Sequence, residues 1–293
     1  MIIMLLVILL QFTVPWASLL DLLAPISVKM HSFCLNSMPK LSAYRELNAA
    51  LVCSHSLYNS AFLHPIRSLG ILHLFVISGY HLNVLSNFSK KLIFNRLKNN
   101  QFILPLLFFV YCLFCGLKAP ILRAYFQLFI PLTRINSPLK LLIVGVLLLA
   151  LNPSFWLATS LLLSWGITLI VSFTYISLVL RLILIYCSLF VFLSPGDIPH
   201  PYSILTGFLF SPLIVFVFLP LSFFSFLIPS FYNFSDAFWQ KFVTLMELLS
   251  TEFPLINNPL NLNPAQKWQL LILLNLFFYY LEVHQRRKAL CYS

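Results

Sequence analysis

Two histidines and a Ser-Gly pair stand together in an apolar run of this chain. His73 and His81 belong to the sequence HLFVISGYHLNVL, with Ser78 and Gly79 between them. Glycine weakens a helix, and a buried imidazole or hydroxyl needs a hydrogen-bond partner. A break of this kind within an apolar segment is typical of a segment that lines a cavity or packs against other parts of the protein.

The chemistry open to this group is the binding of an anion. A helix broken at Ser78 and Gly79 would expose backbone N–H groups, which bind anions where a half-helix starts. His73 and His81 could add hydrogen bonds to a phosphate. The simpler alternative is that both histidines are satisfied inside a helix bundle.

Arg123 is a second candidate for anion binding because it lies inside an apolar run. On a helix, Arg123, Gln127 and Arg134 fall within about 40° of one another at roughly 100° per residue, provided that Pro131 keeps the register. A guanidinium binds phosphate well, so such a polar stripe could line a phosphate path. The alternative is an arginine whose side chain reaches to the membrane interface.

Small residues mark further candidates for a pore lining or for close helix packing. Ser160 and Ser164 lie one helical turn apart, and Gly116 precedes the Arg123 run. Small hydroxyl residues let membrane helices approach closely. Packing is therefore the simpler interpretation of the two serines, and pore lining is the alternative.

The six cysteines do not form a disulfide framework. Cys34 and Cys53 lie in a polar region and could pair if that region faces an oxidising space. Cys112 and Cys115 have a C-x-x-C spacing, but no further ligands cluster nearby, and buried free cysteines are common. We predict no metal site and no cofactor. No Ser-His-Asp order, phosphate loop or helical zinc motif occurs, so the sequence does not predict an enzyme.

The composition restricts the class of protein. Of the 293 residues, 60% are hydrophobic and only 9% are charged, with a mean hydropathy of +0.94. Soluble domains carry about 25% charged residues, and no single soluble core could hide so much apolar surface. The sequence therefore predicts an all-α, polytopic integral membrane protein. About seven to nine membrane segments of roughly 20 residues are expected, with kinked or discontinuous helices.

The charges are distributed unevenly. The net charge is +11, and residues 47–196 contain ten basic residues and no acidic residue. Positive loops on the cytoplasmic side account for most of this bias. A path for a polyanion would also favour a field of one sign, whereas a cation path would need carboxylates.

Charge and hydropathy divide the chain into four predicted parts. These are an N-terminal anchor helix at 1–23, a short polar segment at 24–68, a helical membrane domain at 69–285 and a basic cytoplasmic tail at 286–293.

Within the membrane domain, apolar segments are predicted at about 102–117, 120–133, 139–151, 155–176 and 182–195. A longer apolar run at 204–229 is expected to break at Pro212 and Pro220. The segment at 234–250 is amphipathic enough to lie at the membrane interface.

Three motifs, in order along the chain, resemble the ComEC family of competence proteins. The stretch from His73 to His81 is similar to the family's H-L-x-x-I-S-G-x-H signature. GLKAPILRA at 116–124 resembles its glycine followed by an Arg-Ala pair on a membrane helix. NPSFWLATSLLLSWGI at 152–167 resembles its Asn-Pro turn and apolar helix. A fainter match is TGFLFSPL at 206–213.

Three positions depart from the family's pattern. Leu162 replaces its usual Gln, Tyr80 replaces a small residue, and Gly207 stands where the family has Asn. Larger members also carry an extracytoplasmic domain, and the resemblance implies that 24–68 is at most a remnant of it. The H-x-H-x-D-H ligand set of the metallo-β-lactamase-like domain found in larger members does not occur. The resemblance covers roughly residues 50–230, the central membrane domain, and nuclease activity is not carried over.

The resemblance implies an inner-membrane channel component that passes single-stranded DNA into the bacterial cytoplasm during natural transformation. The DNA path would include His73, Ser78, Gly79, His81 and Arg123. Implied partners are membrane lipids, a DNA receptor, a nuclease and a cytoplasmic translocase that supplies force; a homodimer is compatible with this function. The alternatives are a transporter or channel for a small anionic solute or lipid, and a protein with an assembly role only.

Overall fold

The computed structural model describes residues 17–75, 79–89, 103–129, 137–173, 176–193 and 196–291. Helices make up most of these residues, and the only strands among them are two three-residue segments that pair with each other. The predicted all-α class is confirmed. The elements are α1 (Ala17–Ser37), α2 (Arg45–Cys53), α3 (Leu63–Ser68), α4 (Leu72–Phe75), α5 (Gly79–Ser89), α6 (Ile103–Phe114), α7 (Ala119–Phe129), α8 (Ser137–Leu151), a 3-10 turn (Pro153–Leu157), α9 (Thr159–Ser172), α10 (Leu178–Phe192), β1 (Gly196–Ile198), α11 (Ser203–Leu213), a π turn (Ile214–Phe218), α12 (Leu219–Leu227), a 3-10 turn (Pro229–Phe231), α13 (Tyr232–Glu252), β2 (Ile256–Asn258) and α14 (Pro264–Cys291).

The chain forms two compact units. The described residues of the first unit fall within 1–22, 122–196 and 258–293, and those of the second fall within 23–121 and 197–257. Each unit therefore joins segments that are far apart in the sequence.

In the first unit, α8, α9, α10 and α14 pack around buried tryptophans. Trp165 on α9 lies against Gly145 on α8, where a Cβ atom would be only 1.8 Å from its ring. Trp268 on α14 meets Trp165 edge to face, with ring centroids 5.6 Å apart. The amide of Asn275, oriented to satisfy both neighbours, accepts from Trp165 Nε1 at 3.0 Å and donates to a carbonyl of α8 at 3.1 Å. These contacts fix the rotation of α9 about its axis.

In the second unit, α2 is the central helix. Seven of its nine residues are buried, and it packs mainly on α12. Asn48 Oδ1 accepts from Ser222 Oγ at 2.7 Å and from Trp239 Nε1 at 2.8 Å, and all three side chains have 0% exposure. A disulfide joins Cys53, the last residue of α2, to Cys34 on α1. These are the two cysteines that the sequence identified as able to pair.

One described helix is long and apolar enough to cross a membrane. It runs from Ser203 to Leu227, a length of 25 residues, and contains an 18-residue window with a mean hydropathy of 2.4. The sequence predicted breaks at Pro212 and Pro220, but the helix continues through both. A π turn at Ile214–Phe218 ends just before Leu219 and Pro220. A wider turn relieves the clash between a proline ring and the carbonyl one turn back, so the helix tolerates Pro220.

The other predicted apolar segments correspond to shorter helices. Four described apolar helices, α6, α8, α9 and α10, have 12 to 15 residues. The predicted anchor helix lies largely outside the described residues, and the helix at its end, α1, continues past residue 23 to Ser37. The number of membrane segments and the domain boundaries stay predictions.

Candidate anion-binding site

His73 is held in a defined orientation within the second unit. Its Nδ1–H donates to the Gly70 carbonyl at 2.8 Å. Gly70 has a φ of +66°, and a Cβ there would lie 2.7 Å from Ser203 Oγ, so the turn requires glycine on both counts. Thr206 Oγ1 donates to the Leu69 carbonyl at 2.7 Å, which ties the start of α11 to the same turn.

The neighbour of His73 on α11 is Gly207. A Cβ at Gly207 would lie 3.8 Å from His73 Cε1, an ordinary contact distance. Gly207, which stands where the ComEC family has Asn, therefore faces the imidazole of His73. Because Nδ1 of His73 is engaged with a carbonyl, only its Nε2 remains for a ligand, and that atom donates only when the ring is protonated.

The other residues of the predicted signature are placed in part. His81 lies on α5 with 1% exposure, and the two imidazoles interact electrostatically. Gly79 is the first described residue of α5. Ser78 lies outside the described residues, so the predicted half-helix start stays a prediction.

Arg123 forms the most buried cationic centre of the described first unit. Its exposure is 1%, and it lies on α7. Nε donates to Ser164 Oγ on α9 at 3.1 Å, and Nη1 donates to Gln127 Oε1 at 2.7 Å. The predicted stripe therefore brings Arg123 and Gln127 together, whereas Arg134 lies outside the described residues.

Both partners of Arg123 are neutral. Within the described part of the chain, no carboxylate pairs with its guanidinium, and no other group accepts a hydrogen bond from it. Two of its five N–H donors are used. Burying a charge without a counter-charge is costly, so the arrangement favours an anion as a further partner. Ser164 Oγ accepts from the arginine, which leaves its own hydrogen for an anion.

The remaining small-residue candidates have different surroundings. Ser160 is exposed near the start of α9, one turn before Ser164. Gly116 is exposed in the turn after α6 with a φ of +75°, a conformation that favours glycine. A Cβ at Gly116 would lie 3.8 Å from the ring of His31.

Sequence reasoning missed a cluster of basic groups beside the disulfide. Lys118 Nζ donates to the carbonyl of Ser54, which ends α2 with a φ of +60°. His31 Nδ1 donates to the Phe114 carbonyl at 2.9 Å. Burial, followed by the nearby Lys118 charge, lowers the pKa of His55. No sequence signal pairs Lys118 with Ser54, because they are 64 positions apart.

No metal centre accompanies these sites in the described ranges. No group of three or more His, Cys, Asp or Glu side chains there is arranged to hold an ion. Cys112 and Cys115 are buried free thiols, and Cys115 Sγ donates to the Val52 carbonyl at 3.7 Å.

Fold and site together define a helical protein with a membrane-length helix and a buried, unneutralised arginine. The chain belongs to the competence protein family, whose sequence model, described as "Competence protein", matches residues 51–287. The predicted resemblance is thereby confirmed, and it places the protein among membrane proteins with a role in competence and DNA uptake. No curated protein and no solved structure matches the chain.

Proposed function

We propose that this protein is a multi-pass inner-membrane channel component that guides single-stranded DNA into the bacterial cytoplasm during natural transformation. The observation that carries the proposal is Arg123, a buried guanidinium held by two neutral partners within the family's matched region. A phosphodiester supplies the negative charge that this site lacks, and guanidinium geometry suits phosphate oxygens.

The proposed mechanism is passive guidance. Arg123 would contact one phosphate at a time, with Ser164 as a second donor. The absence of acidic residues from 47–196 would avoid repulsion of the phosphates. His73 would add a hydrogen bond only in its protonated form, because its Nδ1 is already used. The protein is proposed to bind and not to cut. A separate receptor, nuclease and translocase would deliver, process and pull the DNA.

The test is binding of a labelled single strand to the detergent-purified protein over a range of salt concentrations. One lost phosphate contact should reduce the slope of log K against log salt by about 0.7. We expect this for Arg123→Ala, together with lower uptake of labelled DNA in a competent host at unchanged membrane levels. Arg181→Ala is the matched control, because Arg181 donates to the Phe173 carbonyl in the same unit and is remote in sequence from the predicted path.

Equal slopes and equal uptake for the Arg123 and Arg181 variants would refute the role of Arg123. Unchanged uptake after deletion of the whole chain would refute the proposed function. A small anionic solute is the second candidate, since Arg123 would bind it through the same donors. Saturable binding of such an anion without any binding of single-stranded DNA would favour that candidate.

A further inference from the structure

Helix α13 has three distinct faces. At about 100° per residue, its core face spans roughly 100° of arc. The residues of that face, all buried, are Ser235, Trp239, Phe242, Val243 and Met246. An exposed polar face is centred about 120° around the helix from the core face. Its residues are Asn233, Gln240, Thr244, Glu247 and Thr251.

The third face is an exposed apolar stripe with one lysine. Its members follow a spacing of four and three residues and occupy an arc of about 80°. Their exposed fractions are large, at 51%, 42%, 41% and 65% for the four apolar side chains. The stripe consists of Phe234, Phe238, Lys241, Leu245 and Leu248.

Aromatic rings extend the stripe beyond the start of the helix. Phe234 and Phe238 have ring centroids 4.9 Å apart, and Phe231 lies 5.1 Å from Phe234. Phe224 on α12, itself 51% exposed, lies 5.9 Å from Phe231. A continuous row of rings, exposed at Phe224, Phe234 and Phe238 and half-buried at Phe231, therefore leads from the membrane-length helix onto α13.

We propose that α13 lies in the plane of the membrane interface, with this stripe in the acyl-chain boundary and Lys241 bound to anionic lipid headgroups. With 21 residues, α13 is about 31 Å long and could span a bilayer by length alone. Its exposed polar face opposes spanning, because hydrocarbon would leave those groups without partners. An apolar stripe beside a polar face is the pattern of an interfacial helix.

A second copy of the chain fits the stripe less well. Lys241 is the midpoint between Phe234 and Leu248. A two-fold contact centred on the stripe, parallel or antiparallel, would place Lys241 against the same lysine of the other copy. Two ammonium groups buried face to face repel each other, whereas lipid phosphates attract both the charge and the flexible stem.

The test uses the full chain in vesicles of phosphatidylcholine and phosphatidylglycerol, with bromine at shallow or deep acyl positions. Phe234→Trp and Leu248→Trp are about 21 Å apart along the axis. If the helix lies in the interface, shallow bromine should quench the fluorescence of the introduced tryptophan to the same extent in both variants. Deep bromine should quench it less. Gln240→Trp, on the polar face, is the control and should be quenched least.

Two results would overturn the orientation. Different depths for Phe234→Trp and Leu248→Trp would show a spanning helix, and quenching no greater than that of Gln240→Trp would show a stripe covered by protein. For the headgroup contact, Lys241→Gln should lower the preference for spin-labelled phosphatidylglycerol over phosphatidylcholine about fivefold.

Lys40→Gln, which removes another exposed lysine, should leave that preference unchanged. An unchanged preference in Lys241→Gln, or an equal fall in both variants, would overturn the headgroup contact. None of these measurements involves DNA, so their failure is distinguishable from failure of the proposed function.

Discussion

Replacing Gly145 with alanine tests whether the Trp165 contact positions the Arg123 site. The new Cβ would lie 1.8 Å from Trp165 Cζ3, whereas carbon atoms in contact are about 3.5–4.0 Å apart. The ring would have to retreat by roughly 1.7 Å. It is confined by Trp268 at 5.6 Å and by the Asn275 hydrogen bond, so it has little room.

The cost can be compared with two other helical glycines. Overpacking costs about 1–3 kcal/mol, and the lost indole hydrogen bond adds about 1 kcal/mol. Better helix propensity returns about 1 kcal/mol, so Gly145→Ala should destabilise by about 1–3 kcal/mol. At Gly166 the nearest ring atom is 3.0 Å away, and small shifts should make the change nearly neutral. At Gly207 the distance is 3.8 Å, and alanine should stabilise by up to about 1 kcal/mol.

The assay is the thermal midpoint of each detergent-solubilised variant, which changes by about 2–4 °C for each kcal/mol in larger domains. Gly207→Ala should have the highest thermal midpoint, Gly166→Ala an intermediate one and Gly145→Ala the lowest. Trp165→Phe in the Gly145→Ala background should cost less than the sum of the single changes, because the smaller ring relieves the clash. Equal midpoints for Gly145→Ala and Gly207→Ala would refute the packing argument.

Two further predictions concern the disulfide region. The disulfide closes a loop with a sequence separation of 19, so Cys34→Ser should lower stability by about 3 kcal/mol and abolish the effect of reductant on the thermal midpoint. An effect of reductant that persists in Cys34→Ser would contradict the assignment. Because the folded state lowers the pKa of His55, the unfolded state binds its proton at higher pH. Stability should therefore fall as the pH drops below about 6.5, and less so in His55→Gln, as thermal midpoints at pH 7.5 and 5.5 would show. Parallel falls in both proteins would contradict this.

The sequence was informative about local structure and about contacts within one helix. Helical spacing placed Arg123 beside Gln127, and apolar runs located α6, α8, α9 and α10 within a few residues. It was misleading at Pro212 and Pro220, because a proline normally interrupts the hydrogen bonds of a helix. The π turn that accommodates Pro220 depends on packing and carries no sequence signal.

Contacts between distant segments could not be predicted in the same way. The sequence placed Ser160 and Ser164 on one helix face, but only the rotation of α9, set by Trp165 in the notch at Gly145, turns Ser164 toward Arg123. Likewise, the polar appearance of 24–68 concealed that seven of the nine residues of α2 are buried. Its buried polar residue, Asn48, forms hydrogen bonds with groups from α12 and α13.

The position of α2 has a consequence for the order of events at the ribosome. The partners of Asn48 are Ser222 and Trp239, which follow it by 174 and 191 residues. At about 5–20 residues per second, synthesis delivers them roughly 10–40 s after Asn48 itself. During that interval α2 can be covered only by segments of the second unit that are made early, which include Cys34 on α1 and Cys115 after α6. Biogenesis therefore includes a waiting period, in which the early disulfide to Cys34 can hold α2 in place until the second half of its surroundings is made.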